Sequence, residues 1–180
     1  MSHDELNNVK QQAVPLFTAE DVESALDRMA ATVDEKFADQ TPLLICVMNG
    51  GIVVTGHLLT RLTIHVQLDF VHVTRYQGAT TGGDLKWRVE PNQNLQGRRV
   101  ILVDDIFDEG NTLAAIVEHC QQRGAVEIYT AVLVDKKHDR KVKGLRPDLI
   151  GFEVDDHYVF GFGMDYHEYF RNLPGIYAIS

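Results

Sequence analysis

Cysteine is scarce in this chain, with only Cys46 and Cys120 among 180 residues, which excludes a disulfide framework and a thiolate metal cluster. Cys46 lies in an apolar strand-like run and Cys120 in a helix-like run, where core thiols are expected. Positive charge is also short: 17 Lys and Arg face 26 Asp and Glu, giving a net charge of -9 and a pI near 5.3. That balance opposes attraction to nucleic acid or an anionic membrane, so neither is expected as a partner. A polyanionic ligand would need a divalent cation to mediate part of its contact. No stretch approaches about 18 consecutive apolar residues, and Met1 to Gln12 is polar where a secretory signal needs an apolar segment. A cytoplasmic location is expected. Internal repeats and low-complexity segments are likewise missing.

What is present is enough apolar material, 44% of residues, to bury one sizeable core but not two, so residues 1–180 are read as one domain. Thr18 and Asp21 form a capping-box pattern, after which Val22, Leu26, Met29, Val33 and Phe37 recur at helical spacing. Leu43 to Met48 is a continuous apolar run of the length of a strand buried on both faces, broken by Gly50 and Gly51. Val53 to Arg61 reads as a short helix, Ile64 to Val73 as a strand, and Gln77 to Asp84 as a Gly/Thr-rich loop with nothing to bury. Further strands are predicted at Arg99 to Val103, Glu127 to Val134, Leu149 to Glu153 and Val159 to Gly161, with a helix from Thr112 to Arg123 closed by Gly124. Alternating strand and helix predicts an α/β fold, a mostly parallel sheet with helices on both faces. Lys136 to Lys143 is a basic run in an acidic protein, by default a solvated turn.

Chemistry concentrates where Val100 to Val103 lead into Asp104 and Asp105, followed by the loop Asp108 to Thr112 with its single glycine, Gly110. In open parallel sheets ligands bind beyond the carboxyl ends of strands, where these carboxylates fall. The loop offers backbone N–H groups and a helix N-terminus, an anion site worth about 0.3 to 1 kcal/mol from the dipole alone. Carboxylates that accept from sugar hydroxyls, beside donors for phosphate oxygens, suit a ribose phosphate. A Walker loop fails because Asn111 stands where it needs lysine, with no glycine to lead the loop, and an EF-hand fails because Ile106 occupies a ligand position. Gly161 and Gly163 lack the third glycine of a dinucleotide fingerprint. None of the eight histidines sits at close metal spacing with carboxylates, and His57, His65, His72 and His119 are read as structural.

Val100 to Thr112 resembles the phosphoribosyl pyrophosphate signature of type I phosphoribosyltransferases. Val47 to Gly51 is similar to the pyrophosphate loop of the hypoxanthine-guanine members. Arg75-Tyr76 with Gly82 to Lys86 resembles their lid, and Pro147 to Asn172 their purine hood, so coverage runs from about Leu43 to the C-terminus. The resemblance implies a Mg2+-dependent transfer of 5-phosphoribosyl to N9 of hypoxanthine or guanine in purine salvage, giving IMP or GMP. Asp104 and Asp105 would bind ribose hydroxyls and Mg2+, with Asp165 approaching a second Mg2+ through water. Asp108 would act as general base at N7, and Glu109 (through its backbone N–H), Gly110, Asn111 and Thr112 would hold the 5'-phosphate. Asn49, Gly50 and Arg171 would face pyrophosphate. Lys136 would donate to O6, Tyr158 would stack on the ring, and backbone groups of Val159 and Asp165 would read the other edge.

The same resemblance implies a cis bond at Met48-Asn49, a lid over about residues 75–87 that is mobile when empty, a hood from residues 147–180 with N-terminal residues, and a homo-oligomer, dimer or tetramer. Three positions depart from the family pattern: Glu109 replaces a common Thr or Ser, Asn49 a common lysine, and Arg75 a common serine. Tyr158 has core packing as its alternative. At the level of function, the alternatives are transfer to another base such as xanthine, or a non-catalytic regulator of the same fold.

Overall fold

The computed structural model describes residues 1–75 and 85–179, with backbone only for Arg75 and Leu85. Tyr76 and the loop Gln77 to Asp84, expected to be mobile, lie outside the described residues. The polar N-terminus forms α1 (His3–Gln12), capped by Ser2 and Glu5, and leads into the short strand β1 (Val14–Phe17). Neither was predicted. The next element, α2 (Ala19–Lys36), follows its sequence pattern closely: Thr18 Oγ1 accepts from Asp21 N–H at 3.2 Å while Asp21 Oδ2 accepts from Thr18 N–H at 2.9 Å. All five apolar positions of the predicted stripe, from Val22 to Phe37, are buried.

Along the chain follow β2 (Leu43–Met48), α3 (Gly51–Leu59), β3 (Gln67–Arg75), β4 (Leu85–Val89), β5 (Arg99–Phe107) and α4 (Asn111–Gln122). The chain ends with β6 (Glu127–Lys137), β7 (Leu149–Asp155), β8 (Tyr158–Phe160) and β9 (Ile176–Ile179). The main sheet has the order β4-β3-β2-β5-β6-β7, parallel except where β4 meets β3, and β1-β9-β8 form a small antiparallel sheet. The α/β architecture is the one expected, with β5 and β6 longer than predicted. Strand β5 passes through both aspartates because β6 stays apolar to Val134 and keeps a ladder partner opposite Asp104, Ile106 and Phe107.

Residues of β2 alternate between two cores: Leu44 joins Leu26, Met29, Phe37, Val54 and Leu58 from α2 and α3, whereas Leu43, Ile45 and Val47 join Leu113, Ile116 and Cys120 from α4. Helices therefore cover both faces, and each fully buried aliphatic side chain contributes about 1.5 to 3 kcal/mol. Cys46 and Cys120 are free and buried, and burial pushes the Cys120 thiol up to about 11. His57 packs on Phe162 and His119 on Trp87, as structural residues do.

Two features of this topology place the site. From β2 the chain crosses through α3 to β3 on one side, and from β5 through α4 to β6 on the other, so the crossovers diverge at the carboxyl ends of β2 and β5. Ligands in open α/β sheets bind at such a switch point. The small sheet joins the first core through Val159, Phe162, Met164 and Ile176. Its approach to β2 is tight at Gly163, where φ is +102° and a Cβ would lie 2.3 Å from the Gly50 carbonyl oxygen.

Two stability predictions separate local from long-range constraint. Thr18→Ala removes a cap and lowers unfolding free energy by about 1 kcal/mol. Gly163→Ala forces a side chain into a left-handed conformation against backbone and costs about 2 kcal/mol or more. Urea unfolding measures both, and a Gly163→Ala midpoint at or above that of Thr18→Ala would contradict the close packing.

Candidate active site

The site begins where β2 and β5 end side by side. The Met48-Asn49 peptide bond is cis, Asn49 is exposed, and its carbonyl accepts from Ile52 N–H at 3.3 Å as α3 starts. Gly50 is buried with its backbone against Asp105: a Cβ there would fall 1.9 Å from Asp105 Oδ2. At Gly51 a Cβ would fall 2.7 Å from the Val103 carbonyl oxygen. Both glycines are thus required by the approach of one strand end to the other.

Asp104 and Asp105 take their hydrogen bonds from backbone, Asp105 N–H to Asp104 Oδ1 at 2.9 Å and Ile106 N–H to Asp105 Oδ1 at 2.9 Å. Burial, followed by repulsion from Asp105, pushes the Asp104 carboxyl well above the usual carboxylate range. Asp105 is also pushed up by burial, against hydrogen bonding and the positive charge of Arg171. Two adjacent carboxylates in this setting have hard oxygen atoms to offer a cation or sugar hydroxyls.

Beyond Phe107 the chain turns at Gly110, whose φ of +82° brings it within 2.3 Å, measured from a would-be Cβ, of the Phe107 ring. Gly110 offers no side-chain cap, and the first turn of α4, with Asn111 and Thr112, carries no acidic residue, so its N–H groups suit an anion. The Glu109 carbonyl accepts from Val142 N–H at 2.8 Å, and its carboxylate accepts from Asn111 Nδ2 at 3.0 Å.

The β5-β6 register sets Phe107 opposite Asp135, which carries Asp108 alongside Lys136. Lys136 Nζ donates to Asp108 Oδ2 at 3.1 Å, and His138 Nε2 lies 2.7 Å from Asp108 Oδ1. Burial raises the Asp108 carboxyl, but hydrogen bonds from His138 and Lys136 outweigh it and hold the group below its ordinary value. Asp108, His138 and Asp156 form a group that could surround an ion, yet Asp156 is already spread over Arg140 at 2.9 and 3.0 Å, making this an ion-pair network. The basic run is a solvated turn only in part: Lys137, Arg140 and Lys143 are exposed, Lys137 pairing with Glu153, whereas Lys141 pairs with the buried Asp135 and lies over the Phe107 ring. His138 was not singled out from sequence. The available signal was its spacing, two residues from Lys136 at a strand end, where alternate residues share a face.

In the hood, Tyr158 is exposed, 47%, rather than packed in a core, with its ring edge-on to Tyr166. Val159 is buried beside it. Arg171 Nη2 donates to Asp165 Oδ1 at 2.7 Å and Nη1 to the Gly163 carbonyl at 2.7 Å, while Glu168 N–H donates to Asp165 Oδ2 at 2.8 Å. Because Gly163 rests on Gly50, Arg171 is anchored at the β2 loop. The structure thus brings together Gly50, Asp104, Asp105 and Gly163 at one point, Asp108 with Lys136 at a second, and Asp165 with Arg171 at a third. Arg75 closes β3, its side chain and Tyr76 lying outside what is described.

The sequence matches the phosphoribosyl transferase domain family over residues 16–168. A hypoxanthine-guanine phosphoribosyltransferase of Streptococcus thermophilus (strain CNRZ 1066) is 32% identical over 160 residues, covering 88% of each chain. A hypoxanthine-guanine-xanthine phosphoribosyltransferase of Tritrichomonas foetus is 30% identical over 161 residues, 89% of this chain and 88% of that one. Among solved structures, a hypoxanthine-guanine phosphoribosyltransferase of Bacillus anthracis superposes with a TM-score of 0.86 at 28% identity, covering 93% of this chain and 98% of its own. A match that runs from β1 into the hood, with relatives of this identity aligned along most of their length, means that the chain belongs to the phosphoribosyl transferase domain family.

Proposed function

We propose that this protein transfers 5-phosphoribosyl from phosphoribosyl pyrophosphate to N9 of hypoxanthine or guanine, releasing pyrophosphate and forming IMP or GMP, in purine salvage. One observation carries the reading: Lys136 and Asp108 meet at 3.1 Å directly beyond the paired carboxylates of β5. That places a cationic donor and an anionic acceptor together, the complement of a purine edge with O6 accepting and N7 donating.

Around that pair the other residues take roles. Glu109, Gly110, Asn111 and Thr112 hold the 5'-phosphate on the first turn of α4, Glu109 through its backbone N–H. Asp104 and Asp105 accept from the ribose hydroxyls. Asn49, Gly50 and Arg171 face pyrophosphate, and Tyr158, exposed in the hood, stacks on the base while backbone groups of Val159 and Asp165 bond its far edge. As N9 bonds to C1' and the C1'–O bond to pyrophosphate breaks, the N7 proton passes to Asp108. A base so placed contributes about 10²- to 10⁴-fold. Arg75 and Tyr76 belong to a lid over about residues 75–87 that keeps water from the activated sugar.

The oxygen donors fit Mg2+: Asp104 and Asp105 would hold it, and Asp165 would approach a second ion through water. When bound, Mg2+ neutralises charge on the departing pyrophosphate. The chain works as one catalytic domain, its hood drawn from about residues 147–180 and the N-terminal strand. Among the described residues no helix is long and apolar enough to cross a membrane, and we place the enzyme in the cytoplasm. Small molecules, not nucleic acid, are the partners its negative charge favours. A homo-oligomer, dimer or tetramer, fits the apolar patch where Ile52, Leu68 and Phe70 are each about half exposed.

Three measurements test this. With Asp108→Asn, kcat falls by about 10²-fold or more while phosphoribosyl pyrophosphate binding stays near wild type; full kcat would remove Asp108 from its role. In a panel of four bases, hypoxanthine and guanine have the highest kcat/KM, xanthine is weaker because it presents an oxygen to backbone carbonyls, and adenine is poorest, because Lys136 has no acceptor for an amine. Discrimination of this kind reaches about 10⁴-fold. Adenine performing as well as hypoxanthine, or Lys136→Ala keeping 6-oxopurine use, would overturn the base assignment. Chelation by EDTA abolishes turnover and added Mg2+ restores it; activity surviving chelation would exclude the metal.

A further inference from the structure

We infer that His138 is a positioning residue for Asp108, holding Oδ1 so that Oδ2 alone is presented to the reacting ring when Lys136 turns to the purine oxygen. The inference rests on the reading of Asp108 as acceptor of the N7 proton. Each oxygen of the Asp108 carboxylate has its own donor: Lys136 Nζ on Oδ2 at 3.1 Å and His138 Nε2 on Oδ1 at 2.7 Å. One of those donors is required elsewhere during the reaction. Once Lys136 bonds the substrate oxygen, Oδ2 is released toward the base, and a carboxylate on a loop would be free to rotate unless its other oxygen stayed fixed.

His138 is built for that. Its side chain is only 4% exposed, far less than that of Asp108 at 45%. The Arg140 N–H donates to His138 Nδ1 at 3.2 Å, so Nδ1 is the acceptor and Nε2 carries the proton that it gives to Asp108. Arg140 is fixed in turn by its two bonds to Asp156 in the turn between β7 and β8. The charged and titratable groups facing Asp108 are Lys136 and His138 at the end of β6, Arg140 just beyond, Glu109 beside it in the loop, and Asp156 across Arg140. Hydrogen bonds to a carboxylate favour its ionised form. Removing the His138 donor therefore raises the proton affinity of Asp108, and a reaction that needs Asp108 ionised loses activity at a higher pH.

The test is a mutant set assayed for kcat, KM and the pH dependence of kcat. His138→Ala lowers kcat about 10- to 100-fold, leaves KM for phosphoribosyl pyrophosphate within about 2-fold, and moves the acid limb of the profile upward. His138→Gln, whose amide reaches the position of Nε2, recovers most of kcat and returns the limb, whereas His138→Asn, whose amide reaches only the position of Nδ1, does not. The Asn and Gln pair decides the matter should the Ala variant fail to fold. On an Asp108→Asn background, His138→Ala costs nothing further. An unchanged kcat and acid limb in His138→Ala, equal behaviour of the Asn and Gln variants, or the same fold loss on the Asp108→Asn background overturns the inference. Asp108→Asn with full kcat would instead sink the role of Asp108 itself, so the two failures are distinguishable.

Discussion

The site turns on the burial of two neighbouring carboxylates at the end of a strand. Asp104 and Asp105 sit where a sheet normally places apolar residues; desolvation opposes the ionisation of both, joined at Asp104 by repulsion from Asp105. Everything nearby is shaped by accommodating them. The backbone of the β2 loop lies so close to Asp105 that only glycine fits at residue 50, and the hood touches that loop through a second glycine, Gly163. Arg171, bonded to the Gly163 carbonyl, brings positive charge within range of Asp105 from the hood side. Loop, strand end and hood are thereby locked to one another by contacts that leave no room for side chains, and a ligand bridging them meets a surface already fixed in shape. Such pre-organisation is what positioning catalysis requires.

Much of this was legible in the sequence, for physical reasons that differ by element. The buried strands β2 and β5 show as continuous apolar runs because both faces are covered, and α2 shows through its capping box and stripe. Elements that bury little left no such trace. Strand β1 contains Pro15, tolerable because it is an edge strand paired only with β9, and β9 itself is four residues at the end of the described chain. Helix α1 buries Val9 and little else, so its composition is simply polar. The carboxylate pair, Gly110 and the loop glycines were visible as residue types whose presence in an apolar context demanded a reason.

His138 was hidden for another cause. Its contact with Asp108 spans 30 residues and exists only because β5 and β6 pair in one register, with Phe107 opposite Asp135. Within a run of five basic residues, the two-residue spacing from Lys136 gives the face of this histidine but not the partner it meets there. Lys141 is held by a more local pair: Asp135, its partner six residues back, ends the buried stretch of β6 one residue before Lys136. Sequence periodicity reports which face a residue takes, but the partner across the sheet is a tertiary fact.

That register also bears on selectivity. In the free site Lys136 and Asp108 satisfy one another, so neither is left as a lone partly buried charge, a condition that costs about 1 to 3 kcal/mol or more per unpaired group. A 6-oxopurine would replace this bond with two others, O6 accepting from Lys136 and the N7 proton passing toward Asp108, so each member of the broken pair regains a partner. An aminopurine offers only donors at the 6-position, so Lys136 would have to keep Asp108 and block the ring, or leave it and point at another donor. The first choice denies the ring its bonds to the pair, and the second loses a bond that the empty site already had. On the proposed reading, discrimination against the amine would follow from the bond that the free protein keeps or gives up, with the pair at 3.1 Å as the reference against which each base is compared.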